Sequence, residues 1–268
     1  MGLIPNCKDP ALTALKAMGY NVVRLPKADL TPTLLLARKG SKLQRIGSLT
    51  SVFTPAPAAP VPAISADNPA PNVSGTKSAD IDIGIGLNIL GGLISALGGS
   101  TLALNAGYTQ ARSVQFEFAG VLESNAEPAL LDQFFAGATI NPFAHAISDM
   151  LDSDDVFVIT STLKSSKINV AAKDDHKNSI GLDVPVIQGA VGGSLKVSGS
   201  GASSSVVTYE GQVPLVFGFQ AVRLIFDDGR YRTMKLADAG SIALEAALGE
   251  GPQGYVYLDQ GGLIATDL

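Results

Sequence analysis

From position 81 to 89 apolar residues alternate with polar or minimal ones: Ile81, Ile83, Ile85, Leu87 and Ile89 are separated by Asp82, Gly84, Gly86 and Asn88. That is the period of a strand with one apolar face. From Leu90 the spacing changes to Leu90, Leu93, Ile94, Leu97, Thr101 and Leu104, which is the face of a helix. The end alternates again, with Leu102, Leu104, Ala106 and Tyr108 on one side. Residues 80–108 therefore support two incompatible secondary structures, a short helix and an amphipathic hairpin. Such a segment points to refolding, and its apolar content points to a membrane as the second environment.

The rest of the pattern predicts a mixed chain. Ala11, Leu12, Leu15 and Met18 form a helix face, with Asp9 as N-cap, Pro10 at the first helical position and Gly19 as the stop. Strands are expected at 20–25, 33–38 and 44–53. Six prolines between 54 and 75 argue against regular structure there and for an extended connector, placed here at 54–79. A strand at 113–122 precedes two short helices at 128–135 and 142–151, the second capped by Asn141. A long β-rich stretch at 156–170 leads into a charged turn at 173–178, then weaker strands at 182–187, 194–198 and 203–209, with a Gly/Ser loop at 199–205. The most apolar strand, 213–226, belongs at the heart of the core, and Asp227, Asp228 and Gly229 turn it into 231–236. A helix at 237–248, capped by Asp238 or Ser241, ends at the glycine-rich run 249–254.

Strand lengths add a functional hint. A membrane-crossing strand needs ~9–11 residues with alternate side chains facing lipid. The segments 80–89 and 101–110 satisfy this, with 91–99 free to turn. A second pair is 156–170 with 184–197, joined by the charged tip at 173–178. The hairpin regions are thus 80–110 and 155–208. Their edges require closure by neighbouring copies, because an open sheet edge is not tolerated in lipid.

Composition sharpens this picture. Hydrophobic residues make up 46% of the 268 and charged residues only 16%, so the surface is poor in charge. The absence of Trp and the 6% of aromatics argue against an aromatic-rich carbohydrate or nucleic-acid surface. The overall charge of -5 conceals a basic end: residues 1–50 hold eight Lys or Arg against Asp9 and Asp29. Such an end suits anionic headgroups or nucleic acid. Apolar residues around Arg38, Lys39, Lys42 and Arg45 favour an anionic membrane lipid, and nucleic acid is not expected as a partner. No run of 18 apolar residues encodes a membrane helix. The N-terminus has no signal-peptide pattern, and Asn6 breaks the myristoylation pattern, so a cytoplasmic chain is expected.

Chemistry is sparse. There is no phosphate loop and no nucleophile elbow, and Gly84 and Gly86 lack the third glycine of a dinucleotide fingerprint. Asp152, Asp154 and Asp155 lack the glycine and distal glutamate of a calcium loop, so a solvated helix end explains them. His145 and His176 are isolated. No metal site, no cofactor and no catalytic residue is expected. Cys7, the only cysteine, stays open between a buried small hydrophobe, a nucleophile without a signature, and S-acylation. The rival readings are a non-enzymatic β-rich adhesion protein, which lacks the expected secretion signal or repeats, and an enzyme on an undetected fold.

The opening MGLIPNCKDP with its early cysteine, GYNVVRLPKADLTP, and the glycine-rich segment at 80–108 together resemble the bacterial gasdermins, prokaryotic pore-forming proteins. The likeness spans essentially the whole chain. It implies an α+β fold: a single gasdermin N-domain-like body over 1–248, with a central twisted, mostly antiparallel sheet and surrounding short helices, closed by an autoinhibitory peptide at 249–268. It also implies an inactive cytoplasmic monomer. A partner protease removes the peptide, and the body then inserts two β-hairpins into the inner membrane as a large homo-oligomeric pore. The outcome is membrane permeabilisation and cell death in antiphage defence. The family's early cysteine is self-palmitoylated, which implies covalent palmitate on Cys7.

The residues constrain the cleavage. Lys235 is the last basic residue, so a trypsin-like protease has no site beyond it. A caspase-like or other non-trypsin-like protease is expected, cutting after an acidic, small or apolar residue. The expected linker is Ala246, Ala247, Leu248, Gly249, Glu250, Gly251, Pro252, Gln253 and Gly254. The tail beyond it offers Tyr255, Val256, Tyr257, Leu258, Leu263 and Ile264 for an apolar hold on the body.

Overall fold

The computed structural model describes residues 20–39, 42–70, 77–78 and 80–236. Cys7, the helix expected before Gly19, the helix expected at 237–248, the cleavage linker and the tail lie outside them. The described part is α+β. Its strands are β1 (Asn21–Lys27), β2 (Leu34–Lys39), β3 (Lys42–Ser48) and β4 (Ile64–Pro69) before helix α1 (Ile83–Ala96). Then come β5 (Ser113–Ala119), β6 (Leu122–Ala126), α2 (Pro128–Gly137), α3 (His145–Asp152) and β7 (Val156–Lys173). Helix α4 (Val184–Val191), β8 (Lys196–Ser198), β9 (Val206–Asp227) and β10 (Arg230–Leu236) complete the order.

Two long antiparallel strands, β7 and β9, form the spine of the sheet, whose main path runs β1, β9, β7, β2, β3. Their flanks differ at the two ends. At its start β7 pairs Val156 to Val158 with β2, and farther on it pairs with β6 and then with β5. Strand β9 carries β8 near its beginning, β1 at the middle and β10 at its end.

The burial along β7 records this. Val156 through Leu163 are buried on both faces, because helices and loops cover both sides, and from Lys164 onward burial roughly alternates. At the covered end Phe53, Phe134, Phe135 and Phe226 pack as an aromatic cluster with Leu35, Leu131 and Leu151. At the other end α1 and α4 rest on Val114, Phe116, Val170, Ala172, Val207 and Tyr209.

Several expected elements stand as read: β1, β2, β7, α2 and the turn into β10, where Asp228 and Gly229 both have positive φ, whereas the strands expected at 203–209 and 213–226 run together as the single β9 from Val206. The strand expected at 113–122 is divided. Gly120, with φ of 59°, kinks it into β5 and β6, both paired along the same edge of β7. The strand expected at 44–53 ends at Ser48 and continues as a helical turn, Leu49–Val52, because Ser51 Oγ accepts from the Ser48 amide and donates to its carbonyl. The proline-rich connector is corrected in part. Ile64–Pro69 pairs with β6, and its two backbone-limiting prolines, Pro62 and Pro69, fall before it and at its last residue. The expected second helix begins at His145 rather than 142, with Asn141 Oδ1 instead accepting from the Phe143 amide.

Candidate functional site

The segment with conflicting periodicity and the second region expected to form a hairpin lie side by side on one end of the sheet. Residues 83–96 form α1, whose face of Ile89, Leu90, Leu93 and Ile94 is buried. Asp82 caps the helix by accepting from the Gly84 amide at 2.9 Å. The helical period thus prevails here, because an apolar sheet face lies beneath it. The alternating period is still visible in the exposed Ile85 (57%) and Leu102 (98%), which the helix and the following coil leave in solvent.

The second pair differs from the expected one. Residues 184–191 are helical rather than extended: Pro185 sits in the first turn and Asp183 accepts from the Val186 amide at 3.0 Å. The antiparallel partner of 167–171 is the start of β9, 206–210, not 184–197. The charged turn at 173–178 is real, closed by Asp174 Oδ1 accepting from the His176 and Asn178 amides at 2.8 and 2.9 Å.

Polar clasps bind the two helical segments to each other and to the sheet. The Ser100 amide donates to the Val191 carbonyl at 2.7 Å, and Ser194 Oγ donates to the Gly98 carbonyl at 2.5 Å. Gln188 donates to the Gly192 and Leu195 carbonyls and accepts from the Val197 amide, so one side chain organises the exit from α4. The hydroxyls of Tyr108 and Tyr209 are 2.6 Å apart in the core, tying the 3₁₀ turn Leu104–Tyr108 to β9. Close approach depends on glycine. A Cβ on Gly86 would overlap Val114, one on Gly107 would overlap Ile187, and one on Gly211 would press into Leu97.

Two ion pairs tie the base of the first segment to the tip of β7. Lys173 Nζ lies 2.8 Å from Asp80 Oδ1, with both side chains mostly buried, and Arg112 Nε lies 2.9 Å from Asp175 Oδ1 in solvent. Neither pair was legible in the sequence, since each joins residues more than 60 apart.

The basic residues expected to meet lipid all lie on the β2 and β3 hairpin, where Lys39 pairs in register with Lys42. The Arg38 guanidinium lies 5.2 Å from the Phe157 ring centre, and Arg45 is paired with Asp29 at 3.2 Å. This hairpin joins β7 at Val156 to Val158, the end away from Lys173.

A separate polar cluster sits at the waist of the sheet. Tyr20 and Ser161 both donate to Glu123 Oε1, at 2.6 and 2.7 Å. Burial and the adjacent carboxylate push the Tyr20 phenol well above its usual range, which suits a neutral structural donor. Among the described residues no group of three or more His, Cys, Asp or Glu is placed to hold a metal, and no helix is long and apolar enough to cross a membrane.

The profile of the Bacterial Gasdermin Family matches residues 23–230. A gasdermin bGSDM of Lysobacter enzymogenes is 56% identical over 252 residues, covering 94% of this chain and 93% of that protein. The gasdermin bGSDM of a Desulfuromonadales bacterium is 44% identical, covering 92% of each. Among solved structures, a bacterial gasdermin from Bradyrhizobium tropiciagri shares the fold with a TM-score of 0.58 and 15% identity, over 86% of this chain and 92% of that one.

Proposed function

The chain belongs to the bacterial gasdermin family, and we propose that it is an autoinhibited pore former released by proteolysis of its C-terminal peptide. Family and fold support the pore-forming role, and they leave no ground for the enzyme reading. The observation that carries the proposal is the pair of helices α1 and α4. Both lie clasped on an apolar sheet face, and both fall within the regions expected to cross as hairpins, α1 starting inside the alternating run 81–89.

In this reading a caspase-like or other non-trypsin-like protease cuts within 246–254, and the tail 255–268 leaves. Cutting converts an intramolecular contact into a dissociable one, so its effective concentration is lost on dilution. The released cytoplasmic monomer then assembles with other copies on the inner, anionic membrane. Permeabilisation kills the cell, as a defence against phage. Palmitate on Cys7 supplies one acyl anchor, which alone gives only marginal membrane binding and so fits a device needing a second signal.

The test replaces 249–254 with a site for an unrelated protease and follows dye release from anionic vesicles before and after cutting. Release only after cutting is the expected result. Sealed vesicles after confirmed cutting would refute tail inhibition. Intact mass before and after hydroxylamine checks the thioester at Cys7.

A further inference from the structure

Resting on the pore-forming reading, we propose that the pairings already present at the base of α1 and α4 fix the register of both inserted hairpins and assign which side chains face the lipid acyl chains. Three antiparallel registers meet there. Ile81 pairs with Val114 and Asp82 with Ser113; Ser113 pairs with Lys173; Ala171 pairs with Val206. The Ile83 amide already donates to the Arg112 carbonyl, one step further along the first of these. If the helices open, strands propagate from these pairs without a slip.

Continued in register, the first hairpin pairs Leu87 with Tyr108, Ile89 with Ala106 and Leu93 with Leu102, and it closes on a two-residue turn, Leu97 and Gly98. Gly98 already has φ of 87°. The β7 and β9 register, continued, pairs Ile180 with Val197 and Leu182 with Leu195, and it closes on Gln188 and Gly189. The β5 and β7 register, continued, sets Gly98 opposite Gln188. Three independent registers therefore bring the two turns level, each with glycine second.

The same continuation sorts the side chains, because directly opposed residues of a sheet share a face. One row across the four strands reads Ile89, Ala106, Ile180 and Val197. The next on that face reads Gly91, Leu104, Leu182 and Leu195, and the next Leu93, Leu102, Val184 and Gly193. The opposite face carries Asn88, Gly107, Ser179 and Ser198, then Leu90, Asn105, Gly181 and Lys196, and then Gly92, Ala103, Asp183 and Ser194. The apolar face spans Leu87 to about Ser95, close to the ~9–11 residues that cross a bilayer, with Tyr108 at its border where aromatic girdles lie. Leu90, Ile94 and Ile187 fall on the polar face, and all three are fully buried core residues of the helical form.

The charged turn at 173–178 is thereby moved. In the extended sheet it no longer forms a tip that must cross the membrane. Asp174 and His176 stand in rows with Arg112 and Gln110, whose neighbours on the first strand are Ile83 and Ile85, a mostly polar belt below the apolar rows at headgroup depth. The face it borders continues the sheet face of Val114, Val170 and Val207, on which α1 and α4 now rest, so lipid replaces the helices on one uninterrupted surface.

The test uses positions exposed in the helical form and outside the polar clasps, so that storage is undisturbed: Leu102, Ala103, Asn105, Ala106 and Gly193. The variants Leu102→Asp, Ala106→Asp and Gly193→Asp place a charge toward acyl chains. Ala103→Asp and Asn105→Asp place it toward water. Unchanged melting of the uncut proteins confirms folding. After removal of the tail, the first three are expected to lose dye release by about tenfold or more, and the other two to stay within about twofold of wild type. Equal loss in both sets, or loss in the second set alone, overturns the register while wild-type release leaves the pore reading standing. Sealed vesicles with the cut wild-type chain would sink the pore reading and the lipid face with it.

Discussion

The hydroxyls of Tyr108 and Tyr209 meet at 2.6 Å in the core beneath α1, although the residues are 101 apart in sequence. The contact exists only while the 3₁₀ turn at 104–108 rests on β9, so it belongs to the helical form alone. Tyr209→Phe leaves the Tyr108 hydroxyl buried without this partner, at a cost of roughly 1–3 kcal/mol. The uncut variant should melt earlier and exchange its 104–108 amides faster. The double variant with Tyr108→Phe should cost less than the two single changes together, since both polar groups are then gone. Additive losses in that cycle would show that the hydroxyls act independently.

Two glycines on the helices should respond in opposite directions. Gly86→Ala gains about 1 kcal/mol of helix propensity but drives a methyl into the fully buried Val114. Overpacking typically costs 1–3 kcal/mol and should prevail. Gly189, in α4, has open space around its Cβ position, so Gly189→Ala should stabilise the helical form. Denaturant midpoints of the uncut proteins test the signs, and dye release after cutting should be slower for Gly189→Ala than for wild type.

The ion pair between Lys173 and Asp80 should matter more than that between Arg112 and Asp175. Its side chains are 20% and 30% exposed, against 63% and 67% for the other pair. Exposed pairs contribute about 0–1 kcal/mol and are screened by salt. Asp80→Asn should loosen the uncut protein measurably at low ionic strength and Asp175→Asn hardly at all. The exchange Asp80→Lys with Lys173→Asp should recover part of the loss; equal effects of the two Asn variants would remove the distinction.

The β4 edge should weaken in acid. The Asp67 carboxyl is held below its usual range by its hydrogen bond to the Lys164 ammonium, opposed by slight burial. A carboxyl whose folded pKa is depressed stabilises the fold above its unfolded value, about 3.9, and this stabilisation is lost as pH falls from there through the lowered folded value. The contribution is small because the Asp67 side chain is half exposed. Asp67→Asn keeps the left-handed backbone at φ of 62° and should flatten the pH dependence of protection at 64–69. An unchanged profile in the variant would assign the acid response to other carboxylates.

The tail should hold by apolar contact. A fully buried large side chain contributes roughly 1.5–3 kcal/mol, so Tyr257→Ala or Leu258→Ala should make the uncut protein partly toxic on expression. Normal growth with both variants at full protein level would make the tail a passive extension.

The sequence by itself determined the strand character of β7 and of the two runs that β9 joins, the turn at Asp228 and Gly229, and the presence of two competing periods in 80–108, because each follows from local side-chain alternation and turn chemistry. It left open which period prevails. In α1 the helix wins because Val114, Phe116 and Val170 offer it an apolar floor. Residues 184–191 misled for a related reason: a short apolar run fits strand and helix alike, and here the Asp183 cap and Pro185 start a helix that Gln188 closes. Only the tertiary structure decided which strands adjoin. Register between β5, β7 and β9 depends on residues tens of positions apart, and no local pattern encodes it. Yet once those pairings are known, the alternation first seen in the sequence falls on a single face across four strands.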